Sequence, residues 1–325
     1  MSEIKVTGQK RLVIVSGRAH PQLAIDVAEE LGADLVHTDA RTFANGEIYA
    51  RYDESVRGCD AFVIQSHTNP INEWLMEQLI MVDALKRASA KRITVVSPFY
   101  PYARQDKKGR GREPISARLV ADLYKAAGAD RIMSVDLHAA QIQGFFDGPV
   151  DHLFAMPVLL EHFRSQLDPA TLTVVSPDMG RVRVADIWSD KLGAPLAIIH
   201  KRRDPLIPNK VTVHEIVGEV DGRVCLIVDD MIDTGGTILK AADALKAAGA
   251  TRVVVAATHA IFSHPASELL QSASIDSVVV TDTLPIPEAK RFPTLTILPI
   301  APLLARAIHE VFDDGSVTSM FDGAA

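Results

Sequence analysis

Short β-branched apolar runs recur along the chain, at Arg11 to Ser16, Ala61 to Gln65, Arg92 to Ser97, Arg131 to Asp136, Leu172 to Ser176, Leu196 to Ile199, Val224 to Val228 and Arg252 to Ala257. Stretches with apolar residues at helical spacing lie between them. Several runs are apolar at successive rather than alternate positions, as strands are when helices cover both faces of their sheet. The intervening helices then act as right-handed crossovers between parallel strands. The pattern predicts an α/β fold with open, mainly parallel sheets.

One cassette of the pattern occurs twice. Asp83-Ala84-Leu85-Lys86 running into Arg92 to Ser97 aligns without gaps on Asp243-Ala244-Leu245-Lys246 running into Arg252 to Ala257. The match suggests an internal duplication. The plainer reading is that any helix ending in small residues before a Val-rich strand looks like this, and Lys125 to Val135 repeats the grammar a third time. A length of 325 residues also exceeds what one core usually serves, since domains cluster at about 100 to 200 residues. Two similar domains are expected, 1–156 and 157–325, with the division in the stretch Met156 to Pro169 and the last residues available to pack back on the first domain.

Composition narrows the class. Hydrophobic residues make up 47% and charged residues 23%, enough apolar surface to fold most of the chain. A net charge of -7 gives no overall attraction to a polyanion, so a general nucleic-acid or membrane-surface binder is not expected and any basic site must be local. Cys59 and Cys225 have no CxxC spacing and lie in or beside apolar segments, as buried free thiols do. Met1 to Lys10 lacks an apolar signal core and no segment reaches the about 18 apolar residues of a membrane span, so a cytoplasmic location is expected.

The strongest chemical signal is the run Val224 to Val228, followed by Asp229-Asp230-Met231-Ile232-Asp233-Thr234-Gly235-Gly236-Thr237 and a helix from Ile238 to Ala248. Small residues from Thr234 to Thr237 let backbone N–H groups approach an anion at a helix N-terminus, where the macrodipole and two threonine hydroxyls favour phosphate. Asp229 and Asp230, expected just past the strand, suit either the vicinal hydroxyls of a sugar or a metal. An ordinary N-cap needs only one such residue, not two consecutive acids and a third before Thr-Gly-Gly-Thr.

This acidic loop resembles the ribose-phosphate motif of the type I phosphoribosyltransferase fold. The segment Asp136-Leu137-His138-Ala139-Ala140-Gln141-Ile142-Gln143-Gly144-Phe145-Phe146 resembles the signature of the ribose-phosphate diphosphokinases, also called phosphoribosyl pyrophosphate synthetases. Arg57 to Asp60, Met81 to Arg92, Pro98 to Lys108, Ser176-Pro177-Asp178, Lys201-Arg202-Arg203 and the stretch Ser316 to Phe321 follow in that family's order and spacing.

The resemblance implies transfer of the β,γ-diphosphoryl group of Mg-ATP to the C1 hydroxyl of ribose 5-phosphate, giving 5-phosphoribosyl 1-diphosphate and AMP. It assigns Asp229, Asp230, Asp233, Thr234, Gly235, Gly236, Thr237 and Arg203 to ribose 5-phosphate, and Lys201 and Arg203 to charge on the transferred group. Composition alone allows that basic run to be a solvated loop. Phe43, Asn45, Gly46 and Glu47, with Arg104 and Gln105, are assigned to ATP, the Phe-containing loop coming from a neighbouring subunit. An aromatic face and a guanidinium plane suit a purine, and the chain has no GxxxxGK[ST] or GxGxxG loop; core packing beside a turn is the other reading of Phe43. His138 and Asp178 are linked to Mg2+, although a lone His is more often a core residue and Asp178 suits an Asp turn after Pro177.

Lys107 to Arg112 is the densest basic run and suits polyphosphate better than nucleic acid, since no aromatic platform is interleaved. A homo-oligomer, commonly a hexamer built from dimers, is implied, with inorganic phosphate and ADP as regulators. The chain departs from the family pattern at Met179-Gly180-Arg181, where many relatives carry two glycines, and at His200, where an acid is common. The acidic loop by itself equally fits a phosphoribosyltransferase that consumes the diphosphate, and a non-catalytic regulatory homologue would share most of the motifs.

Overall fold

The computed structural model of the protein describes residues 10–202 and 213–321, with the backbone alone at 201, 202, 213 and 214. The chain divides into two units, Met1–Leu153 together with Ala301–Ala325, and Phe154–Ile300. Both are helix-covered, mainly parallel sheets.

The first unit contains β1 (Leu12–Ser16), α1 (Pro21–Leu31), β2 (Asp34–Val36), β3 (Thr38–Thr42), β4 (Ile48–Tyr52), β5 (Asp60–Ile64), α2 (Ile71–Arg87), β6 (Arg92–Val96), α3 (Ser116–Ala127), β7 (Arg131–Val135) and β8 (Val150–Leu153). Its sheet runs β2-β1-β5-β6-β7-β8 with every pairing parallel, while β3 and β4 form a separate antiparallel hairpin. β5 is buried at all of its positions, which is why its residues do not alternate. α3 shows the covering logic: Ala117, Val120, Ala121 and Tyr124 are buried at i, i+3, i+4 and i+7, one stripe against the sheet.

The second unit holds α4 (Met156–Arg164), β9 (Leu172–Ser176), α5 (Val182–Leu192), β10 (Leu196–Arg202), β11 (Val213–Val217), β12 (Val224–Ile232), α6 (Gly236–Ala247), β13 (Arg252–Ala260), α7 (Ala266–Leu269), β14 (Ser277–Thr281) and β15 (Leu295–Leu298). Its order is β11-β10-β9-β12-β13-β14-β15, parallel except where β11 joins the edge. With β11 set aside, the order repeats that of the first unit strand for strand. The two cassettes of the sequence, α2 with β6 and α6 with β13, occupy the same place in each. After β15 the chain enters α8 (Ala301–Phe312), which packs on α1 of the first unit. Beyond it, Asp314 pairs with Lys10 and, at 2.9 Å, with Arg92.

Two expectations need correction. β12 does not stop at Val228 but runs to Ile232, so Asp229 and Asp230 lie inside a strand, Asp229 opposite Ala257 and Met231 opposite His259 of β13. The acids are polar by type, but the long partner strand extends the ladder past them. The regular pattern also hides β2, β3, β4, β8, β11, β14 and β15, most of them edge strands, short strands or parts of the hairpin. Cys59 and Cys225 are buried free thiols, and burial pushes the Cys225 thiol up to about 11. No helix among the described residues is long and apolar enough to cross a membrane.

Candidate active site

The acidic loop lies at the carboxyl end of β12, in the middle of its sheet, where open α/β folds place ligands. Asp233, Thr234 and Gly235 turn the chain from β12 into α6. Gly235 is the N-cap at φ 79°, a left-handed conformation that a side chain strains, and no side chain caps the helix. A Cβ at Gly236 would meet nothing within 4 Å, so open space lies before the first helical turn. Thr234 and Thr237 are exposed. The first backbone N–H groups of a helix have no intrahelical acceptor and carry the positive end of the dipole, an arrangement suited to an anion such as phosphate. α6 is held in place by Ile238, Ala241, Ala242 and Leu245, its buried stripe.

Asp229 and Asp230 share one cation. Arg181 Nε lies 3.2 Å from Asp229 Oδ1 and its Nη2 lies 2.7 Å from Asp230 Oδ1. All three side chains are largely withdrawn from water, at 13%, 15% and 8% exposure. Consecutive strand residues point to opposite faces, so one side chain can reach both only from an open strand edge. The register supplies that edge: β9 pairs with β12 only at 224–227 and then turns away, leaving the loop 177–181 alongside the acids. Burial, reinforced by the neighbouring Asp230 charge, pushes the Asp229 carboxyl well above the ordinary range, while Arg181 pulls it down. Asp178 shapes the same loop as an Asx turn, its Oδ1 accepting the Gly180 N–H at 2.8 Å and its carbonyl accepting the Ser176 hydroxyl at 2.7 Å.

In the first unit, Phe43, Asn45, Gly46 and Glu47 form the tip of the β3–β4 hairpin. The Phe43 N–H donates to the Glu47 carbonyl at 2.7 Å, Asn45 Oδ1 accepts the Glu47 N–H at 3.2 Å, and Gly46 takes φ 91°. Phe43 is 47% exposed, which rules out the core-packing reading; Tyr49 lies edge-on to it and Arg41 lies over both rings. Arg104 and Gln105 are exposed in the loop after β6, and Gln105 Oε1 accepts the Ser116 hydroxyl at 2.6 Å. The exposed loop at Lys107 to Arg112 is pinned where Glu113 accepts the Gly109 and Arg110 N–H groups. His138 follows the carboxyl end of β7 and is half-buried.

A buried network supports the segment that carries Arg104. The Phe99 carbonyl, an acceptor only, lies 3.2 Å from His67 Nδ1 and places the ring proton there; Ser97 Oγ is 3.0 Å from the same nitrogen. Tyr124 faces Nε2 at 3.3 Å and donates to Gln78 Oε1 at 2.7 Å. Burial drives His67 down to about 4, so it is neutral at ordinary pH.

Comparison with known proteins decides the family. A model of the N-terminal domain of ribose phosphate pyrophosphokinase matches residues 12–128, and one of the phosphoribosyl synthetase-associated domain matches residues 200–322. A ribose-phosphate pyrophosphokinase of Streptomyces avermitilis is 64% identical over 322 residues, 99% of each chain, and one of Mycobacterium tuberculosis is 60% identical over 326 residues, the whole of both. The chain belongs to the ribose-phosphate pyrophosphokinase family. The crystal structure of phosphoribosylpyrophosphate synthetase from Mycobacterium smegmatis matches with a TM-score of 0.90 at 60% identity, covering 94% of this chain and 100% of that one.

Of the residues the sequence nominates, the fold of this pyrophosphokinase-family chain gathers Asp229, Asp230 and Asp233 to Thr237 at one strand end, with Asp178 in the loop alongside. Phe43 to Glu47 and Arg104–Gln105 belong to separate loops of the other unit, as does His138. Lys201 lies on β10 with its side chain outside the description, and Arg203 lies outside the described residues. Arg181 was visible in the sequence only as a departure at the end of an Asp-x-Gly turn. Its function as the common partner of two acids depends on where β9 leaves the sheet, which no local pattern reveals.

Proposed function

We propose that this chain transfers the diphosphoryl group of Mg-ATP to the C1 hydroxyl of ribose 5-phosphate, with the β12–α6 loop as the ribose 5-phosphate site. The observation that carries the site assignment is the pair of buried acids at a strand end, directly ahead of a glycine-opened helix N-terminus. The 5-phosphate sits on the N–H groups and hydroxyls of Asp233 to Thr237, and Asp229 and Asp230 accept hydrogen bonds from the sugar hydroxyls. Phe43, Asn45, Gly46, Glu47, Arg104 and Gln105 take the adenosine of ATP.

The C1 oxygen attacks the β-phosphorus in line. The new O–P bond forms as the bond from that phosphorus to the oxygen bridging the α-phosphorus breaks, AMP leaves with the bridging oxygen and its electron pair, and the proton of the C1 hydroxyl passes to water. Lys201 and Arg203 meet the negative charge on the transferred group, which is where electrostatic positioning lowers the barrier. Magnesium is commonly held by one or two carboxylates with substrate phosphates and water filling its shell. Asp178 offers one such carboxylate and His138 supports the site. When bound, the ion screens the triphosphate charge.

The remaining assignments follow the same reading. The chain acts as a cytoplasmic homo-oligomer, a hexamer built from dimers in which the Phe43 hairpin serves a neighbouring subunit, and inorganic phosphate and ADP regulate it. The test incubates the purified protein with Mg-ATP, ribose 5-phosphate and phosphate and follows products by phosphorus NMR. Equal appearance of AMP and 5-phosphoribosyl 1-diphosphate is expected. ADP in place of AMP would overturn the β-phosphorus mechanism, and diphosphate release from the product with a free base, without ATP, would move the chain to the transferases.

A further inference from the structure

We infer that Arg181 is a positioning residue that sets the preference of this site for a sugar with both vicinal hydroxyls. The inference deepens, and rests on, the assignment of Asp229 and Asp230 to the ribose hydroxyls. Its own support is the fork: one guanidinium donates from Nε to Asp229 and from Nη2 to Asp230, in a setting where all three side chains are nearly dry. Two carboxylates on adjacent residues of a buried strand end repel each other, and without a cation one of them takes up a proton. A protonated carboxyl accepts poorly from a sugar hydroxyl. Arg181 opposes that uptake by drawing the Asp229 carboxyl down, and so favours the ionised acids that receive hydroxyl donors.

The fork also fixes orientation. Arg181 occupies Oδ1 of each acid, and Asp229 Oδ1 receives the Asp230 N–H at 2.8 Å as well, so the rotation of both carboxylates is tied to one planar group. That group is itself anchored. Arg181 opens α5, its carbonyl accepting the Ala185 N–H at 3.0 Å, and its own N–H reaches the Asp178 carbonyl at 3.4 Å. Lysine at this position would supply the charge from a single nitrogen and could not span the two acids in the same way. Arg181 therefore acts on the sugar through Asp229 and Asp230 and is not itself a catalytic group.

The test measures dissociation constants of ribose 5-phosphate and of 2-deoxyribose 5-phosphate by titration calorimetry, for the wild type, Arg181→Met, Arg181→Lys, Asp229→Asn and Asp230→Asn. Loss of one hydroxyl that bonds a carboxylate should weaken binding to the wild type by about 10- to 100-fold. In Arg181→Met that ratio should fall below about 5-fold, with Arg181→Lys intermediate, while the dissociation constant for ATP changes by less than about 2-fold. A merely structural role would weaken both sugars alike and leave the ratio standing, which would refute the inference. Tighter binding of ribose 5-phosphate by Arg181→Met would also refute it, by showing that the arginine competes with the sugar. If Arg181→Met melts before it can be titrated, Arg181→Lys decides by the same ratio. A ratio that collapses in the Asn variants and persists in the Arg181 variants sinks the Arg181 inference alone, whereas a ratio that persists in the Asn variants sinks the sugar assignment itself.

Discussion

His67 makes the first unit sensitive to acid in a way that can be calculated. The ring is 2% exposed, and its folded value of about 4 lies below the ordinary histidine value of 6.5 because burial disfavours the charged form. A base whose folded value is depressed contributes stability that is present above the unfolded value and is lost as pH falls through the folded one. The window is therefore about pH 6.5 down to about pH 4. The full shift corresponds to about 3 kcal/mol, most of it lost between about pH 7 and about pH 4.5. Trp74 lies in the first unit and Trp188 in the second, so Trp188→Phe leaves a fluorophore that reports on the first unit alone. In that background, denaturant unfolding of His67→Gln should start from lower stability but lose about 2 to 3 kcal/mol less on acidification than its parent. Carboxylates contribute to both curves and cancel in the difference. Parallel losses would show that His67 does not stay neutral in the fold, and the proposed tautomer on the Phe99 carbonyl would go with it.

The other predictions address the sites and the polar core. Lys201→Ala should lower turnover by about two orders of magnitude or more with little change in KM for either substrate, as for a contact made in the transition state; a large KM effect at unchanged turnover would contradict that role. Gly235→Ala forces a side chain into φ 79° and should cost about 1 to 2 kcal/mol while raising KM for ribose 5-phosphate, checked by melting and steady-state kinetics. Phe43→Ala removes an exposed ring, so the melting temperature should hold while KM for ATP rises at least about 5-fold; a fall in stability without a KM change would return Phe43 to a structural role. Arg18→Met leaves the fully buried Glu77 without its 2.5 Å ion pair and should cost about 3 kcal/mol by chemical denaturation, a loss under about 1 kcal/mol showing that the two donors that remain, the residue 18 N–H at 2.7 Å and Gln65 at 2.9 Å, suffice.

The central strands were legible because burial on both faces removes alternation: β5, β6, β7, β9 and β13 read as apolar runs and lie where those runs are. The edges were not. β2 has three residues, and β3 and β4 form a half-exposed hairpin rich in polar residues, so neither carries a strong pattern. β12 was read short because Asp229 and Asp230 look like a strand terminus, whereas pairing with β13 carries the strand through them. The turn from β12 into α6 was legible for the opposite reason: its glycines, threonines and acids are contiguous and each has a local physical role. Arg181 reaches its partners across a gap of about fifty residues of sequence, through a strand that leaves the sheet early, and a contact of that kind has no periodic signature.

The repeated strand order implies a division of labour between two copies of one design. β5 and α2 stand in the first unit where β12 and α6 stand in the second, but the connecting segments have opposite fates. After β5 the chain buries Gln65, Ser66 and His67, and α2 starts from Pro70 at φ -81°, with no glycine opening its first turn. The turn proposed to hold phosphate in one copy is a sealed polar joint in the other. Substitutions at these equivalent positions should therefore separate cleanly by phenotype: those near His67 act through folding and the set of the loop leading to Arg104, and those near Gly235 act through recognition of the sugar phosphate. A duplicated fold of this kind lets one half adapt its strand-end loop to binding while its counterpart adapts the same place to rigidity.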